Sequence, residues 1–496
     1  MRVVLWDTRQ LDVSKDFAGG YGVGKFPARK GIRDRIIRHF YTRDRRPVAL
    51  LFAHLAAIFR SLGHQVQYVE DRIVDGADLY VFLPALISVH LERQAMEQVA
   101  ARNPRARILV VGPLASVLPQ AFEGLGATLV KGEAEQLLWK LDEVLAHPDA
   151  PVRLGLIEDL DRIPFPDWSL FQPQRFRIGY DFWKFPTALV QQSRGCVFKC
   201  NYCPYIALDN TVRYRSPEAV VEEIRHDIAQ WGFRSFKFRD PLFGTDRNRV
   251  FRLVQLLERL DKKVQFSVES KIELMKPEVL RALKRVGLTS ITVGVETPDD
   301  ETLRRHHRPV SKDDVQREFI VRCREMGIRT VAGFLIGFPY DTSESIHRVL
   351  AYAQALNPTF ANFNVVTPYV GTEFYNQVRD QIADHDLSHY TVYTPVMRYQ
   401  HLTAEQVAEL HARCFRRFYF RWPYLRDNAH LLWPALRWLG IGRPKRFQGP
   451  GDPAHAGPPR PMSGVEAIRR TQGLRQDGPH ARPGVPGDPP DQQGRG

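Results

Sequence analysis

The sequence has little cysteine and no long hydrophobic run. Its 496 residues include five cysteines, an odd number that argues against the paired disulfide framework of secreted proteins. No stretch of about 20 uninterrupted apolar residues occurs, so no segment is predicted to cross a membrane as a helix. The N-terminal stretch MRVVLWDTRQ lacks the basic and apolar regions of a signal peptide. We therefore predict a soluble, cytoplasmic protein with two or three domains.

The chain has an excess of positive charge, with a formal net charge of +14. Such an excess can attract nucleic acid, anionic lipid or an anionic substrate. An arginine-rich composition without any charged partner gives the same number, and we take this as the simpler interpretation. The sequence shows no zinc-finger spacing, basic zipper or RNA-binding aromatic signature, so nucleic acid is not a predicted partner.

Residues 1–146 alternate short β-branched runs with amphipathic stretches. This alternation predicts a parallel sheet with helices on both faces, which is a doubly wound α/β domain. Ligands of such sheets bind at the carboxyl ends of the strands. The residues at these predicted ends are Asp7, Pro84, Gly112, Gly132 and Glu133.

A second alternating series occupies residues 187–400. Six strand candidates, each followed by a helix, predict a partial (β/α)6 barrel of TIM type. The candidates are TALVQQS, RSFKFRD, VQFSVES, SITVGVE, RTVAGFLIGF and FANFNVV. Ser216, Thr297 and Asp341 have the spacing of helix N-caps. Active sites of barrels lie at the carboxyl ends of their strands.

The remaining segments differ in composition from the two α/β series. Residues 147–186 include LDRIPFPDW and predict a stiff, extended linker. Residues 401–441 predict a helical extension rich in aromatics and arginine. It could contact a membrane peripherally, although a helix packed on the barrel is the interpretation we favour. Residues 442–496 are rich in Pro, Gly, Arg and Gln and are predicted to be a disordered tail.

Three of the five cysteines lie within the stretch SRGCVFKCNYCPY (193–205), directly after the first predicted barrel strand. Cys196, Cys200 and Cys203 can converge on one soft metal centre. A structural zinc site needs a fourth Cys or His, and an iron–sulfur cluster ligated only by cysteines needs a fourth thiolate. Three cysteines on a tetranuclear cluster instead leave one iron open. The spacing favours the cluster, while zinc, a redox pair or scattered structural cysteines stay as alternatives.

The stretch GCVFKCNYCPY resembles the CxxxCx(aromatic)C signature of the radical S-adenosylmethionine (radical SAM) enzymes. Later segments are similar to the strand-four, strand-five and subsequent motifs of that family. These segments are VGVET (293–297), GFLIGFPYDT (333–342) and FNVVTPYVGTEFY (363–375). On the order and spacing of these motifs, the chain is identified as a member of the radical SAM superfamily.

The resemblance implies that the three cysteines hold a 4Fe-4S cluster whose open iron chelates S-adenosylmethionine. One electron, from a donor such as a flavodoxin or ferredoxin, would cleave S-adenosylmethionine and give a 5′-deoxyadenosyl radical. Other residues are expected to contact S-adenosylmethionine, namely Tyr202, Asp240, Glu296, Gly337 and Pro339. Glu296 and Asp240 have an alternative role as caps of local structure, which we favour for Asp240.

The first domain resembles the flavodoxin-like, cobalamin-binding domain of one class in this family. The similar stretches are LFAHLAAIFRSLGHQVQYVED, VVGP and VKGEAEQLLW. The resemblance implies cobalamin contacts from the strand-end residues Pro84, Gly112, Gly132 and Glu133. The D-x-H-x-x-G motif that supplies a histidine to cobalt is absent, and relatives that lack it bind cobalamin without a histidine ligand. The alternative is an α/β domain that serves only as a lid over the barrel.

The resemblance therefore predicts a cobalamin-type radical SAM enzyme. We expect a C-methyltransferase that acts on an unactivated carbon of a lipid or secondary-metabolite substrate. One alternative is a radical SAM oxidoreductase or cyclase without methyl transfer. Another is a non-catalytic protein that binds an iron–sulfur cluster or cobalamin.

Overall fold

The computed structural model describes residues 1–429, apart from short gaps at 10–12, 25, 43–47, 179–185 and 312. The described part forms one compact unit. The predicted disordered tail, residues 442–496, and the end of the predicted helical extension, residues 430–441, lie outside the described residues.

The first α/β series forms a six-stranded, wholly parallel sheet in the order β2-β1-β3-β4-β5-β6. Its strands are β1 Arg2–Asp7, β2 Gln65–Glu70, β3 Leu79–Phe82, β4 Arg107–Val110, β5 Ala127–Lys131 and β6 Pro151–Arg153. The first five strands have the flavodoxin order 2-1-3-4-5. The sixth strand lies inside the predicted linker, so the sheet continues beyond residue 146.

Helices cover both faces of this first sheet. They are α2 Leu50–Ser61, α3 Val89–Arg102, α4 Pro113–Val117 and α5 Leu137–Leu145, whereas α1 Ile32–Thr42 packs against the C-terminal helix at Ala404–Tyr419. Strand β1 shows why both faces are covered. Val3 and Leu5 belong to one hydrophobic core, whereas Val4 and Trp6 belong to another. Because successive side chains point to opposite faces, a strand that is apolar at every position needs a core on each side.

The second series forms a six-stranded parallel sheet in the order β7-β10-β11-β12-β13-β14. These strands are β7 Thr187–Val190, β10 Ser235–Phe238, β11 Gln265–Ser270, β12 Leu288–Glu296, β13 Arg329–Ile336 and β14 Phe360–Val365. A short antiparallel pair, β8 Ser193–Arg194 and β9 Arg213–Tyr214, lies between β7 and β10 in the chain. All six predicted barrel strands form, and β7 and β14 are the two edges of the sheet. The partial (β/α)6 architecture is therefore confirmed.

The helices that follow these strands are α6 Pro217–Trp231, α7 Arg247–Leu257, α8 Pro277–Arg285, α9 Asp300–Arg305, α10 Asp313–Glu325, α11 Ser343–Leu356 and α12 Glu373–Val378. Ser216 caps α6 as predicted, because its side chain accepts a hydrogen bond from an N–H in the first turn. The predicted cap at Asp341 is wrong. Thr342 caps α11 and forms a capping box with Ser345.

The last described helices, α13 Ala404–Tyr419 and α14 Trp422–Asp427, belong to the predicted C-terminal extension. Helix α13 buries Phe415 and Phe418 against the outer face of β14, where both rings contact Phe363. This packing agrees with a helix that covers the barrel. Among the described helices, none is long and apolar enough to span a bilayer.

Residues 13–24, which we call the strap, lie between the carboxyl ends of the two sheets. A Cβ atom on Gly22 would lie 2.8 Å from Ala85, which follows β3. On the other side, the hydroxyl of Tyr21 donates a hydrogen bond of 2.7 Å to the carbonyl of Val370, which follows β14. The strap therefore contacts both strand-end edges.

A buried ion-pair network anchors the strap to the first sheet. The ammonium of Lys15 lies 2.7 Å from the carboxylate of Asp7 at the end of β1 and 2.9 Å from that of Glu92 in α3. All three side chains are at most 4% exposed. Such a pair is costly to break, since a partner that remains keeps its charge in a dry environment.

Replacing Lys15 tests this anchor. We expect Lys15→Met to lower the free energy of unfolding by about 3–5 kcal/mol, because two buried carboxylates lose their cation. Urea unfolding measures the change. Arg102→Met is the matched control, since Arg102 and Asp75 pair at 2.6 Å but are 50% and 58% exposed. The control should cost less than about 1 kcal/mol. Equal, small losses in both variants would contradict a buried anchor.

Candidate functional site

The three cysteines lie on a loop whose ends are held together. Strands β8 and β9 pair, and the intervening residues 195–212 form what we call the cysteine loop. A Cβ atom on Gly195 would lie 2.4 Å from the carbonyl oxygen of Thr211, so only glycine allows this close approach. The side chain of Asn210 accepts a hydrogen bond from the N–H of Cys196 and donates one to its carbonyl, each at 2.9 Å. The loop therefore has a defined neck.

The three thiols are neighbours in a partly buried environment. Cys200 is 4% exposed, and Cys196 and Cys203 are half-buried. Burial raises the pKa of the Cys203 thiol to about 12 and also raises that of Cys196. The neighbouring thiol of Cys200 raises both pKa values further, and Cys196 also raises that of Cys203. The guanidinium of Arg308 lies 4.0 Å from the sulfur of Cys200 and favours a negative charge there.

This donor set fits an iron–sulfur cluster. In the described ranges, no group of three His, Cys, Asp or Glu side chains is arranged to hold a single metal ion. A cluster makes a different demand, because each thiolate binds its own iron atom. Three neighbouring soft donors on one closed loop, with a cation beside them, meet that demand.

Aromatic rings form a wall beside the cysteine loop. Tyr202 lies edge-on to His306, with 6.0 Å between the ring centroids, and His306 stacks on Phe338 at 4.4 Å. The Nδ1–H of His306 donates to the side-chain oxygen of Asn201 at 2.9 Å. Burial lowers the pKa of His306 to about 4, so the ring is neutral. The hydroxyl of Tyr202 is buried and has no hydrogen-bond partner among the described residues, so it is available to a ligand.

Glu296 ends β12 and points at the same region. Its carboxylate lies 3.3 Å from Arg308, which also donates a hydrogen bond of 2.7 Å to the carbonyl of Gly294. Glu296 has a φ of 68°, a left-handed conformation that is uncommon for a residue with a side chain. It does not cap the next helix, because Asp299 does so through the N–H of Thr302. The structure therefore assigns Glu296 to an ion pair beside the thiols.

The turn after β13 lies next to this wall. The carboxylate of Asp341 accepts hydrogen bonds from the N–H groups of Gly337 and Phe338, at 2.7 and 2.9 Å. The carbonyl of Pro339 accepts one of 2.8 Å from the N–H of Gln400. Asp341 therefore shapes the turn, although it does not cap α11. Phe338 stacks on His306, which also contacts Tyr202. The ring of His306 therefore separates this turn from Tyr202.

Asp240 lies apart from this group, at the ends of β7 and β10. It is fully buried and accepts hydrogen bonds from the hydroxyl of Ser193 at 2.5 Å and from the N–H of Gln192 at 3.2 Å. Burial raises the pKa of Asp240 to about 7. These contacts are those of a loop cap that fixes the approach to the cysteine loop. Contact with S-adenosylmethionine stays a prediction for this residue.

The residues predicted at the first sheet's edge already have close protein neighbours. Pro84 is buried after β3. A Cβ atom on Gly112 would lie 2.4 Å from Leu83, and one on Gly132 would lie 2.1 Å from the carbonyl oxygen of Leu154. Close packing within the chain therefore explains both glycines. Cobalamin contacts at these positions stay a prediction.

Glu133 faces the cysteine loop. Its carboxylate binds both ends of the neck, through Arg194 on β8 and Arg213 on β9. The two α/β layers are therefore joined by an ion pair at the base of the loop that carries the thiols.

The concave face of the barrel sheet is polar. On β14, Asn362 and Asn364 alternate with residues of the outer core, and their side-chain oxygens are buried without a hydrogen-bond partner among the described residues. On the other side, Glu269 of β11 binds Lys237 at 3.0 Å and Arg239 at 2.6 Å.

Two glycines face each other on the concave surface, Gly294 on β12 and Gly333 on β13. A Cβ atom on Gly294 would lie 2.2 Å from the carboxylate of Glu296 and 2.7 Å from Arg308. One on Gly333 would meet nothing closer than 3.7 Å. The first glycine therefore makes room for an ion pair, whereas a methyl group at the second would make only an ordinary van der Waals contact.

The sequence motifs do not identify several residues of the site. Arg308 and His306 follow α9 and have no motif of their own, and their role depends on how the chain returns to the cysteine loop. Arg194 does carry a signal, since it directly precedes the glycine and first cysteine of the motif. Its partner, however, lies about 60 residues earlier in the other sheet.

Residues 190–353 match the family model described as "Radical SAM superfamily". This segment begins at the end of β7 and includes the cysteine loop, so the match coincides with the site. This part of the chain is therefore a radical SAM domain. The expectation from the cysteine motif is thereby confirmed.

The chain is also similar to two curated proteins. It is 24% identical over 269 residues to the "Uncharacterized methyltransferase PH0819" of Pyrococcus horikoshii, a match that covers 54% of this chain and 58% of that protein. It is 26% identical over 310 residues to the "Anaerobic magnesium-protoporphyrin IX monomethyl ester cyclase" of Cereibacter sphaeroides, covering 62% of this chain and 48% of the cyclase. The chain thus spans about half the length of the curated relatives it matches.

A solved structure shares the fold of most of this chain. The radical SAM methyltransferase TsrM from Kitasatospora setae, with cobalamin and a 4Fe-4S cluster bound, is similar with a TM-score of 0.52 and 15% identity. The match covers 77% of this chain and 75% of TsrM. The likeness confirms the predicted fold, in which a flavodoxin-like domain precedes a radical SAM barrel.

The cap at Asp240 predicts a defined pH dependence. The folded-state pKa of about 7 lies above the ordinary value of 3.8, so the folded chain keeps a proton that the unfolded chain has lost. The stability contributed by this group is therefore complete at low pH and declines as the pH rises through these two values. In Asp240→Asn the hydrogen-bond acceptor stays and the titration disappears.

Urea unfolding of both cluster-free proteins between about pH 5 and pH 8 measures this effect. The free energy of unfolding of the wild type, relative to that of the variant, should fall by about 1.4 kcal/mol per pH unit up to about pH 7 and then level off. A difference between the two proteins that stays constant over this range would contradict the raised pKa.

Proposed function

We propose that this protein is a cobalamin-type radical SAM enzyme, a C-methyltransferase that acts on an unactivated carbon of a lipid or secondary-metabolite substrate. The observation that carries the proposal is the position of the three thiols. They lie at the mouth of a radical SAM barrel and next to the strand ends of a flavodoxin-like sheet, which is where each of the two folds binds its ligand. Two cofactors bound at these edges would be neighbours.

The chain's own residues suit these tasks. Cys196, Cys200 and Cys203 would hold the 4Fe-4S cluster, and Arg308 would stabilise the thiolate charge. When bound, such a cluster leaves one iron for S-adenosylmethionine, whose cleavage supplies a 5′-deoxyadenosyl radical. The unpartnered hydroxyl of Tyr202 would hydrogen-bond to this ligand.

Two further elements would complete the S-adenosylmethionine site. Glu296 would accept hydrogen bonds from hydroxyl groups of the ribose, since its carboxylate is already fixed by Arg308. The turn at Gly337 and Pro339 would border the adenine, next to the ring of Phe338. Asp240 is farther from this group, and we assign it the supporting role of a loop cap.

Cobalamin binding is supported by the fold of the first domain and by its location beside the barrel. The first sheet has the flavodoxin order, and its strand ends border the barrel. The predicted contacts Pro84, Gly112 and Gly132 are engaged in chain packing, so they would shape the edge of the cobalamin site through their backbone. Glu133 would lie at its margin, because its carboxylate is bound to arginines.

The polar concave face bears on the choice of substrate. The side-chain amides of Asn362 and Asn364 and the charged group around Glu269 are suited to a molecule with hydrogen-bonding groups near the reacting carbon. This arrangement favours a functionalised metabolite, or a lipid that carries polar substituents, over a plain hydrocarbon.

The main alternative is a radical SAM oxidoreductase or cyclase without methyl transfer. The similarity to a protein named as a cyclase supports this alternative. A non-catalytic binding protein is less well supported, since the site combines three cluster donors with an ion pair and a ring wall that a cluster alone does not need.

The proposal extends to partners and location. An electron donor such as a flavodoxin or ferredoxin would reduce the cluster, in the cytoplasm. Among the described residues, peripheral membrane contact is supported by Trp422, which is 75% exposed at the start of α14 and follows the arginine-rich end of α13.

Isotope labelling tests methyl transfer directly. Cells that produce the wild-type protein are fed methionine with a deuterated methyl group, and their metabolites are compared with those of cells that produce Cys200→Ala. We expect a metabolite heavier by one labelled methyl group that is absent from the variant cells, since the variant lacks a cluster ligand. A product that instead differs by loss of hydrogen would contradict methyl transfer and favour the cyclase alternative.

Cofactor analysis of the anaerobically purified protein tests the two binding sites. With cobalamin supplied, we expect four irons and one corrinoid per chain, and loss of iron in Cys200→Ala. Cys414→Ala is the matched control, because Cys414 is buried in α13 away from the loop. Zinc in place of iron would contradict the cluster. Iron without corrinoid would favour the alternative in which the first domain serves only as a lid over the barrel.

A further inference from the structure

Glu133 makes an unusually complete set of contacts for a residue at a strand end. One carboxylate oxygen lies 2.9 Å from Arg194 and 2.8 Å from Arg213. The other accepts hydrogen bonds from Arg213 at 2.8 Å and from the N–H of Ile157 at 2.7 Å. The pairing with Arg213 is bidentate, which gives geometric specificity as well as energy.

The surrounding groups shield this ion pair from water. The side chains of Glu133, Arg194 and Arg213 are only 14%, 14% and 11% exposed. A second carboxylate, that of Glu135, lies 2.6 Å from Arg194. Two arginines thus meet two glutamates in a nearly closed group, and Arg213 depends on Glu133 as its only carboxylate partner among the described residues.

Both arginines are part of the neck of the cysteine loop. Arg194 and Arg213 are directly opposite each other in the β8–β9 pair. Arg194 is separated from Cys196 only by Gly195. Because Gly195 packs closely against Thr211, the backbone between Arg194 and Cys196 has little freedom to move. A displacement of the neck would therefore be transmitted to the first thiolate.

The other side of the contact is equally rigid. Glu133 follows Gly132, which has a φ of 105° and approaches the carbonyl of Leu154 closely. The N–H of Leu154 donates a hydrogen bond of 2.7 Å to Lys131, the last residue of β5. The carboxylate thus projects from a fixed turn of the first sheet.

We propose that Glu133 is a positioning residue for the cluster: it holds the neck of the cysteine loop against the first sheet, so that the arrangement of the three thiolates depends on the N-terminal domain. This inference rests on the proposed function, since it takes Cys196, Cys200 and Cys203 as the cluster ligands. It also links two sequence motifs through one ion pair, VKGE at Glu133 and SRGC at Arg194, although about 60 residues separate them.

The test compares Glu133→Gln with the wild type. The substitution keeps the shape of the side chain and removes the charge that binds Arg213. After anaerobic reconstitution with iron and sulfide, we expect iron release to a chelator to be faster by about 10- to 100-fold, the range typical for the loss of a partner that supports a metal ligand. The electron paramagnetic resonance spectrum of the reduced cluster should also shift, because the thiolate geometry changes.

A second readout does not require the cluster. Hydrogen exchange of the cluster-free protein should accelerate in residues 195–212 of Glu133→Gln, while strands β1 and β3 keep their protection. If the wild type binds no iron–sulfur cluster, the proposed function fails, yet this exchange measurement still tests the contact between Glu133 and the neck.

Two controls separate positioning from general stability. Arg416→Gln breaks the pair between α13 and Asp34 of α1, at 3.1 Å, which also joins the N-terminal part of the chain to the barrel but lies away from the neck. It should leave iron release and the spectrum unchanged. The double variant Glu133→Gln, Arg213→Gln should release iron no faster than the more affected single variant, since both changes remove one interaction.

Two results would overturn the proposal. The first is a Glu133→Gln protein with wild-type iron release, spectrum and loop exchange. The second is an equal effect of Arg416→Gln on all three measurements, which would show that loss of any contact between the layers has the same consequence.

Discussion

Both six-stranded sheets of this protein are parallel, and this constraint determines where chemistry can take place. In a parallel sheet all strands end at the same edge, so the loops that can bind a ligand collect there. Here the edges of two such sheets border each other, and the strap contacts both. The hydrogen bond from Tyr21 to Val370 and the ion pair from Glu133 to Arg213 cross between them. Nearly every candidate residue of the site lies along this boundary, which is why residues that are hundreds of positions apart in the chain become neighbours.

Electrostatics explains the rest of the site. The thiols of Cys196 and Cys203 resist deprotonation, because burial raises the pKa of both. A site that binds them as thiolates needs positive charge nearby, and Arg308 supplies it. Glu296 balances Arg308 in turn, and its left-handed backbone fixes the carboxylate before any ligand arrives. The cost of holding that conformation is met during folding, so it does not weaken binding.

Much of this arrangement can be predicted from sequence because it follows from local periodicity. Of the twelve strands in the two parallel sheets, eleven are indicated by alternation or by apolar runs in the sequence. The spacing of the cysteines indicates the cluster loop. Caps are harder to assign, since Thr342 and Asp341 are both plausible and only the path of the turn decides between them. Arg308, His306 and the partner of Glu133 are harder still. Their roles arise from contacts between distant segments, and no local pattern of charge or hydrophobicity encodes such contacts.

The facing glycines of β12 and β13 also have a consequence for substitutions at these two positions. A methyl group added at Gly333 would be in ordinary van der Waals contact, 3.7 Å from the carbonyl oxygen of Val293. The same methyl group at Gly294 would overlap the Glu296 carboxylate and Arg308. Two adjacent positions with the same residue therefore differ in tolerance: alanine fits at Gly333, whereas Gly294 is closed to variation as long as the ion pair is needed.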